Sequence, residues 1–151
     1  MRRLKNITTI AADAYQAMLS LEAALGRSGV PEVTLDLLRL RVSQINGCSL
    51  CVDMHAAALK KAGQSDERIW AVAAWREATC FTDEERAALN LAEYATRIAD
   101  NPEGVPDAVW DEAADHYSES DLAHLVMAIA SINAWNRINV TVRNPPLSRA
   151  H

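Results

Sequence analysis

Apolar side chains return at steps of three and four along almost the whole chain, the spacing that places them on one face of an α-helix. Tyr15, Met18, Leu21 and Leu25 mark a first helix from about Ile10 to Leu25, closed by Gly26 with Ser28-Gly29, since glycine takes a C-cap conformation without steric penalty. Pro31 opens a second helix, in which Leu35, Leu38, Val42 and Ile45 form the apolar stripe and Asp36, Arg39, Arg41 and Gln44 the polar positions. Asn46-Gly47 breaks it, because both residues tolerate left-handed backbone angles. The break aims the N-terminus of a third helix at Cys48, and that helix runs to Ala62 and stops at Gly63.

Ser65 can cap a fourth helix containing Ile69, Trp70, Val72 and Trp75, and Thr82-Asp83-Glu84-Glu85 is a capping box for a fifth that ends near Ala99. Asn101-Pro102-Glu103-Gly104-Val105-Pro106 is the strongest loop signal, but its length joins helices rather than domains. Pro106 leads a sixth helix through Val109, Trp110 and Ala113. Ser118 to Asp121 has cap spacing for the last helix, Leu122 to about Val142, which Pro145-Pro146 ends. That helix is apolar nearly all round, as expected at the centre of a bundle or in a subunit interface. No alternating run of β-branched residues lies between turn signals. The expected fold is therefore all-α, a single-domain helical bundle of six to seven helices spanning residues 1–151.

Composition narrows the picture. At 151 residues and 50% hydrophobic the chain can bury one core without disulfide or metal staples. A net charge of -5, with only short basic clusters at Arg2-Arg3 and Lys60-Lys61, argues against nucleic acid as a partner. The basic start, Met1 to Asn6, leads into Thr8, Thr9, Asp13 and Gln16 rather than the apolar stretch of a signal peptide. The most apolar run, Leu122 to Trp135, contains His124, Ser131 and Asn133 and falls short of the ~20 residues that cross a bilayer, so no membrane span is expected. Three cysteines, two of them as C-x-x-C in a chain without secretory features, point to catalysis or metal in a reducing cytoplasm rather than to a disulfide framework.

Cys48, Cys51 and His55 are spaced by three and four, so a helix beginning near Cys48 gathers two thiols and an imidazole on one face. A helix N-terminus and a neighbouring imidazolium both favour a thiolate. A thiolate at Cys51 can attack the O–O bond of a hydroperoxide, giving a sulfenic acid and releasing an alcohol or water, and Cys48 can condense with it to a disulfide. His55 can take the thiol proton directly or through one water. None of the five glycines forms a G-x-G-x-x-G fingerprint, so no cofactor is expected and an external dithiol, a lipoyl- or thioredoxin-like protein, must reduce the disulfide. Other readings of the same residues stay open: inert structural thiols, a non-enzymatic redox-sensing module, or zinc binding. A structural zinc site wants four ligands, however, and Cys80, His116, His124 and His151 show no ligand-pair spacing, so no metal is expected. Cys80, beside Phe81, reads as a buried small apolar residue, His116 and His124 as structural, and the terminal His151 as mobile. The four tryptophans are core or interface candidates, with Trp135, next to Asn136 and Arg137, the one in polar company.

The run Asp36-Leu-Leu-Arg-Leu-Arg-Val-Ser-Gln-Ile-Asn-Gly-Cys48-Ser-Leu-Cys51-Val-Asp-Met-His55 resembles the signature of the carboxymuconolactone decarboxylase superfamily, on its alkylhydroperoxidase D-like branch. Trp75 to Ala78, Thr82 to Leu89 and Ile132 to Arg137 also look like that branch. The resemblance implies an all-helical fold assembled as trimers or hexamers, and a thiol peroxidase acting on hydroperoxides. By position it makes Cys51 the attacking thiol, Cys48 the resolving thiol, His55 the proton relay and Asp36 the relay carboxylate. The superfamily's lactone decarboxylases generally lack the cysteine pair, although lyase chemistry on a carboxylated ring through Asp36 or His55 is a further alternative. Two departures stand out. The relay carboxylate is usually Glu, so Asp36 is about 1.5 Å shorter in reach and is expected to act through water or weakly; and Leu50 stands between the cysteines where some relatives carry His.

Overall fold

The computed structural model describes residues 2–147. Its described residues form eight α-helices: α1 (Ile7–Ile10), α2 (Ala12–Leu25), α3 (Glu32–Asn46), α4 (Ser49–Lys61), α5 (Asp66–Ala71), α6 (Asp83–Thr96), α7 (Asp107–His116) and α8 (Glu119–Val142). No strand occurs among them. The helix starts follow from side chains that satisfy orphan N–H groups. The Ser65 hydroxyl accepts from the Arg68 amide and the Ser118 hydroxyl from the Asp121 amide. Thr82 and Glu85 cap one another reciprocally, with the Thr82 amide donating to the Glu85 carboxylate at 2.9 Å. Between α3 and α4, Gly47 takes φ 68°, so the expected break is present and α4 starts at Ser49 with Cys48 as its cap.

The centre of the bundle is α3, which packs against α4, α6 and α8. Every residue from Thr34 to Leu40 is buried, so the helix is enclosed on all sides over two turns. On one flank Leu35, Leu38 and Val42 meet Leu91, Leu125 and Ile129; on the other Leu37 and Leu40 meet Leu59, Val72, Trp75 and Leu89. Each such side chain removed from water contributes about 1.5–3 kcal/mol before its entropy is charged against it. Enclosing α3 also buries two of its charges, Asp36 and Arg39, which are therefore obliged to find partners inside.

Several sequence expectations are corrected. Of the two places expected for the last helix, bundle centre or subunit interface, the first is taken by α3; α8 leaves Val126, Met127 and Val140 exposed. The first expected helix is α2, starting at Ala12; a short helix not expected, α1, precedes it across a break at Ala11 and buries nothing. Gly26 closes α2 in a right-handed conformation, φ -65°. The fourth and fifth expected helices end early, at Ala71 and Thr96, and continue as single 3-10 turns, Val72–Ala74 and Ile98–Asp100. Trp70 is 70% exposed. Cys80 is exposed, because Phe81 takes the buried place in that loop and stacks under the Arg68 guanidinium. His151 lies outside the described residues. No helix among the described residues is long and apolar enough to cross a membrane.

Candidate active site

Cys48 and Cys51 are joined in a disulfide, their Cα atoms 5.3 Å apart, and both are buried. The link is possible because Gly47 turns the chain so that Cys48 precedes the first turn of α4 while Cys51 lies within it. The Cys48 sulfur also accepts the Cys51 amide at 3.3 Å, taking the place of a serine or aspartate cap. The sulfurs thus lie at the positive end of a 13-residue helix, where negative charge on sulfur is stabilised.

His55, one turn further along α4, reaches back to α3: its Nδ1 is 3.1 Å from Asp36 Oδ1. The shorter carboxylate therefore makes the contact directly, without a bridging water, because α3 and α4 pack closely enough to remove the missing methylene. With Nδ1–H donated to Asp36, Nε2 is the nitrogen left to accept a proton. Asp36 Oδ1 also accepts from Arg39 Nη1 at 3.4 Å. Arg39 is shared further, with Glu32 Oε1 at 2.9 Å and Glu22 Oε2 at 3.2 Å. The other oxygen of Glu22 accepts from the Ser131 hydroxyl and, at 3.1 Å, from Trp135 Nε1. A buried guanidinium costs several kcal/mol unless it is fully paired, and these three carboxylates from α2 and α3 pair it.

The sulfur of Cys51 has a second neighbour. Asn139 Nδ2, from the last turns of α8, donates to Cys51 Sγ at 3.6 Å, and Asn144 Nδ2 donates to Asn139 Oδ1 at 2.6 Å, which fixes the amide's orientation. The end of α8 is tied beneath α3: Asn46 Nδ2 donates at 2.9 Å to both Asn133 Oδ1 and Asn136 Oδ1, and Asn136 Nδ2 donates to Ser43 Oγ at 3.0 Å. Asn46 is thus a tether between helices as well as part of the break.

A cavity of about 250 Å³ opens over these groups. Cys51 and His55 line it, with Glu22 and Arg39 among its polar groups and Tyr15, Leu19, Leu50, Met54, Ile132 and Trp135 as its apolar wall. Trp135 meets Tyr15 edge-on with ring centroids 5.2 Å apart. The arrangement offers a sulfur able to attack or leave, an imidazole held by a carboxylate to move a proton, and an apolar space for the substrate's body.

All four residues singled out in the sequence, Cys48, Cys51, His55 and Asp36, come together. Cys80, His116 and His124 stay apart from them; the His124 ring bonds the Ser120 carbonyl at 2.7 Å. No group of three or more His, Cys, Asp or Glu among the described residues is arranged to hold a metal ion. Sequence reasoning missed Glu22, Asn139 and Asn144, and gave Arg39 only as a polar position of its helix. Trp135 carried a signal in its polar neighbours, but its partner, Glu22, lies 113 residues away.

Comparison with known proteins places the site in context. The model of the carboxymuconolactone decarboxylase family matches residues 12–94. An uncharacterized protein of Bacillus subtilis, YdfG, is 36% identical over 140 residues, covering 93% of this chain and 94% of that protein. The alkyl hydroperoxide reductase AhpD of Hyphomonas neptunium is 47% identical over 47 residues, which are 31% of this chain and 26% of that protein. Among solved structures, a protein of unknown function from Agrobacterium tumefaciens, associated by name with AhpD antioxidant defence, superposes with a TM-score of 0.90 at 34% identity over 97% of this chain and 98% of its own.

Proposed function

The chain belongs to the carboxymuconolactone decarboxylase family, and from that premise we propose that it is a thiol-dependent hydroperoxide reductase of the alkylhydroperoxidase D-like kind. The observation that carries the reading is the closed Cys48–Cys51 pair with Cys51 in one cavity with His55, itself bonded to Asp36.

In the proposed cycle His55 Nε2 takes the Cys51 proton and the thiolate attacks one oxygen of the hydroperoxide. The O–O bond breaks, the leaving alkoxide recovers the proton from His55, and Cys51 becomes a sulfenic acid. The Cys48 thiol then attacks that sulfur, releasing water and closing the disulfide. Asp36 holds the imidazole and balances its charge while it is protonated. The apolar wall supports an organic hydroperoxide with a compact apolar body as substrate. An external dithiol, carried by a lipoyl- or thioredoxin-like protein, resets the pair in the cytoplasm. Leu19 and Met54, on the cavity wall yet 43% and 45% exposed, support assembly as a trimer or a hexamer in which a second copy covers the rim.

The test is a thiol count on reduced protein before and after one equivalent of an organic hydroperoxide. Three titratable thiols should fall to one, the exposed Cys80. Cys48→Ser should stall after one turnover with a sulfenic acid that dimedone traps at Cys51. Full turnover by Cys51→Ser with every reductant supplied would remove the assigned nucleophile.

A further inference from the structure

The disulfide stands between two spaces of different character. Cys51 lines the apolar cavity with His55. Cys48 lines a second cleft, of about 390 Å³, together with Arg2, Ser49, Arg143 and Pro145. Asn139 and Asn144 line both, so this pair and the disulfide form the partition between them. Among the described residues, no carboxylate lines the second cleft. The side chains of Arg2 and Arg143, both exposed, have no hydrogen-bond or ion-pair partner among the described residues. The N-terminus of α4 at Ser49 opens into the same space and adds to its positive potential. In a chain of net charge -5, two exposed arginines make this cleft, which one sulfur of the buried disulfide lines, locally cationic.

We propose that this cleft is the entry for the reducing dithiol, that the dithiol bears an anionic group such as a carboxylate, and that it attacks Cys48 rather than Cys51. The inference rests on the redox cycle proposed above and adds to it a separate route and a ligand chemistry for the reductive half.

The direction follows from thiol–disulfide exchange, in which the attacking sulfur approaches in line with the bond it breaks. Attack on Cys48 comes from the cleft that Cys48 lines; attack on Cys51 would bring an anionic thiolate through the apolar cavity. The reductant's thiolate bonds to Cys48 Sγ, the Cys48–Cys51 bond breaks, and its electron pair leaves on Cys51. That thiolate leaves into the Asn139 N–H and takes a proton through His55. The reductant's second thiol then attacks the mixed disulfide, freeing Cys48 and closing the reductant's own disulfide. Two electrons and two protons pass to the protein.

The experiment uses protein oxidised with diamide and follows its reduction by stopped flow with dihydrolipoate and dihydrolipoamide, two dithiols of equal reactivity that differ by one negative charge. Dihydrolipoate should be faster by about fivefold, the scale of one exposed charge pair. Arg143→Asn, which suits the left-handed backbone at φ 56°, and Arg2→Gln should each shrink the difference, while oxidation of the reduced variants by cumene hydroperoxide stays at the wild-type rate. A limiting anionic monothiol, 2-mercaptoethanesulfonate, quenched with iodoacetamide, should be found on Cys48 by peptide mass. Equal rates for the two dithiols, equal slowing of both by the variants, or label on Cys51 would each overturn the proposal. If no hydroperoxide oxidises the reduced protein, the reductase reading falls alone, since the dithiol comparison on diamide-oxidised protein still decides the entry.

Discussion

Replacing Asp36 by Asn tests the proposed relay with little change of shape. The Asp36 carboxylate accepts from His55 at 3.1 Å and from Arg39 at 3.4 Å, and the Asp36 and His55 side chains are 11% and 16% exposed. So dry a pair is poorly screened, and a hydrogen bond to a charged group is then worth about 1.5–3 kcal/mol. If that energy is realised when His55 is protonated, removing it slows the hydroperoxide step about 10–100-fold, at 1.36 kcal/mol for each factor of ten. Arg39 keeps Glu22 and Glu32, so the variant should still fold, with a melting temperature within a few degrees of the parent. The assay is single-turnover oxidation of the reduced protein, followed by thiol loss, beside a thermal melt. A rate within twofold of wild type in a well-folded variant would show that Asp36 only pairs Arg39 and that His55 works alone. Asp36→Glu restores the residue more usual in this family, but its extra methylene must enter a site that is already filled, costing about 1–3 kcal/mol. It is therefore expected to melt earlier and react no faster; a faster variant would show that the aspartate is a poor fit.

Three further outcomes are expected. Asn139→Ala removes the amide aimed at Cys51 and should slow thiolate-dependent alkylation of reduced Cys51 at neutral pH about fivefold, with the loss vanishing at alkaline pH; a pH profile that does not move would make Asn139 structural. Gly47→Ala meets no atom within 4 Å, so its cost is that of the left-handed backbone alone, about 1–2 kcal/mol, read as a fall of several degrees in a thermal melt; an unchanged melt would refute the account of the turn. Burial raises the Glu93 pKa, but hydrogen bonds from Arg41 and Trp75 and the charges of Arg41 and Arg76 outweigh it and hold the carboxyl below its usual 4.5. A lowered native pKa contributes stability above 4.5 that is lost as pH falls through the native value. Glu93→Gln should therefore be less stable than wild type by urea denaturation at pH 7 and converge with it in acid; a gap that persists unchanged in acid would refute the assignment.

The local signals in the chain were legible because each is complete within a few residues. The caps at Ser65, Thr82 and Ser118, the Asn46-Gly47 break and the Cys48, Cys51, His55 spacing all depend on neighbours along one helix, and all appear in the structure. What stayed hidden is long-range pairing. Arg39 reads as no more than a polar position until its three carboxylates are placed around it, and Asn139 and Asn144 carry no pattern until the end of α8 is laid beside α4. The same blindness misplaced Cys80, whose burial depended on whether it or Phe81 filled the gap beside Arg68. It also left α8 with two possible places, since apolar character on every face does not say which helix the others surround. Asp36 is the instructive case: counting bonds along its side chain made it too short, and only the closeness of α3 to α4 shows that it is long enough.

Trp135 gives this fold a property independent of any substrate. Its indole forms a wall of the space into which Cys51 faces, with Tyr15 against its edge. Disulfides quench nearby excited indoles far more strongly than a pair of thiols does, so opening the bond should brighten emission from this residue. Trp70, Trp75 and Trp110 do not line that space and supply a steady background. The molecule is in effect its own optical gauge of redox state, readable without dye or label, and Trp135→Phe would silence it.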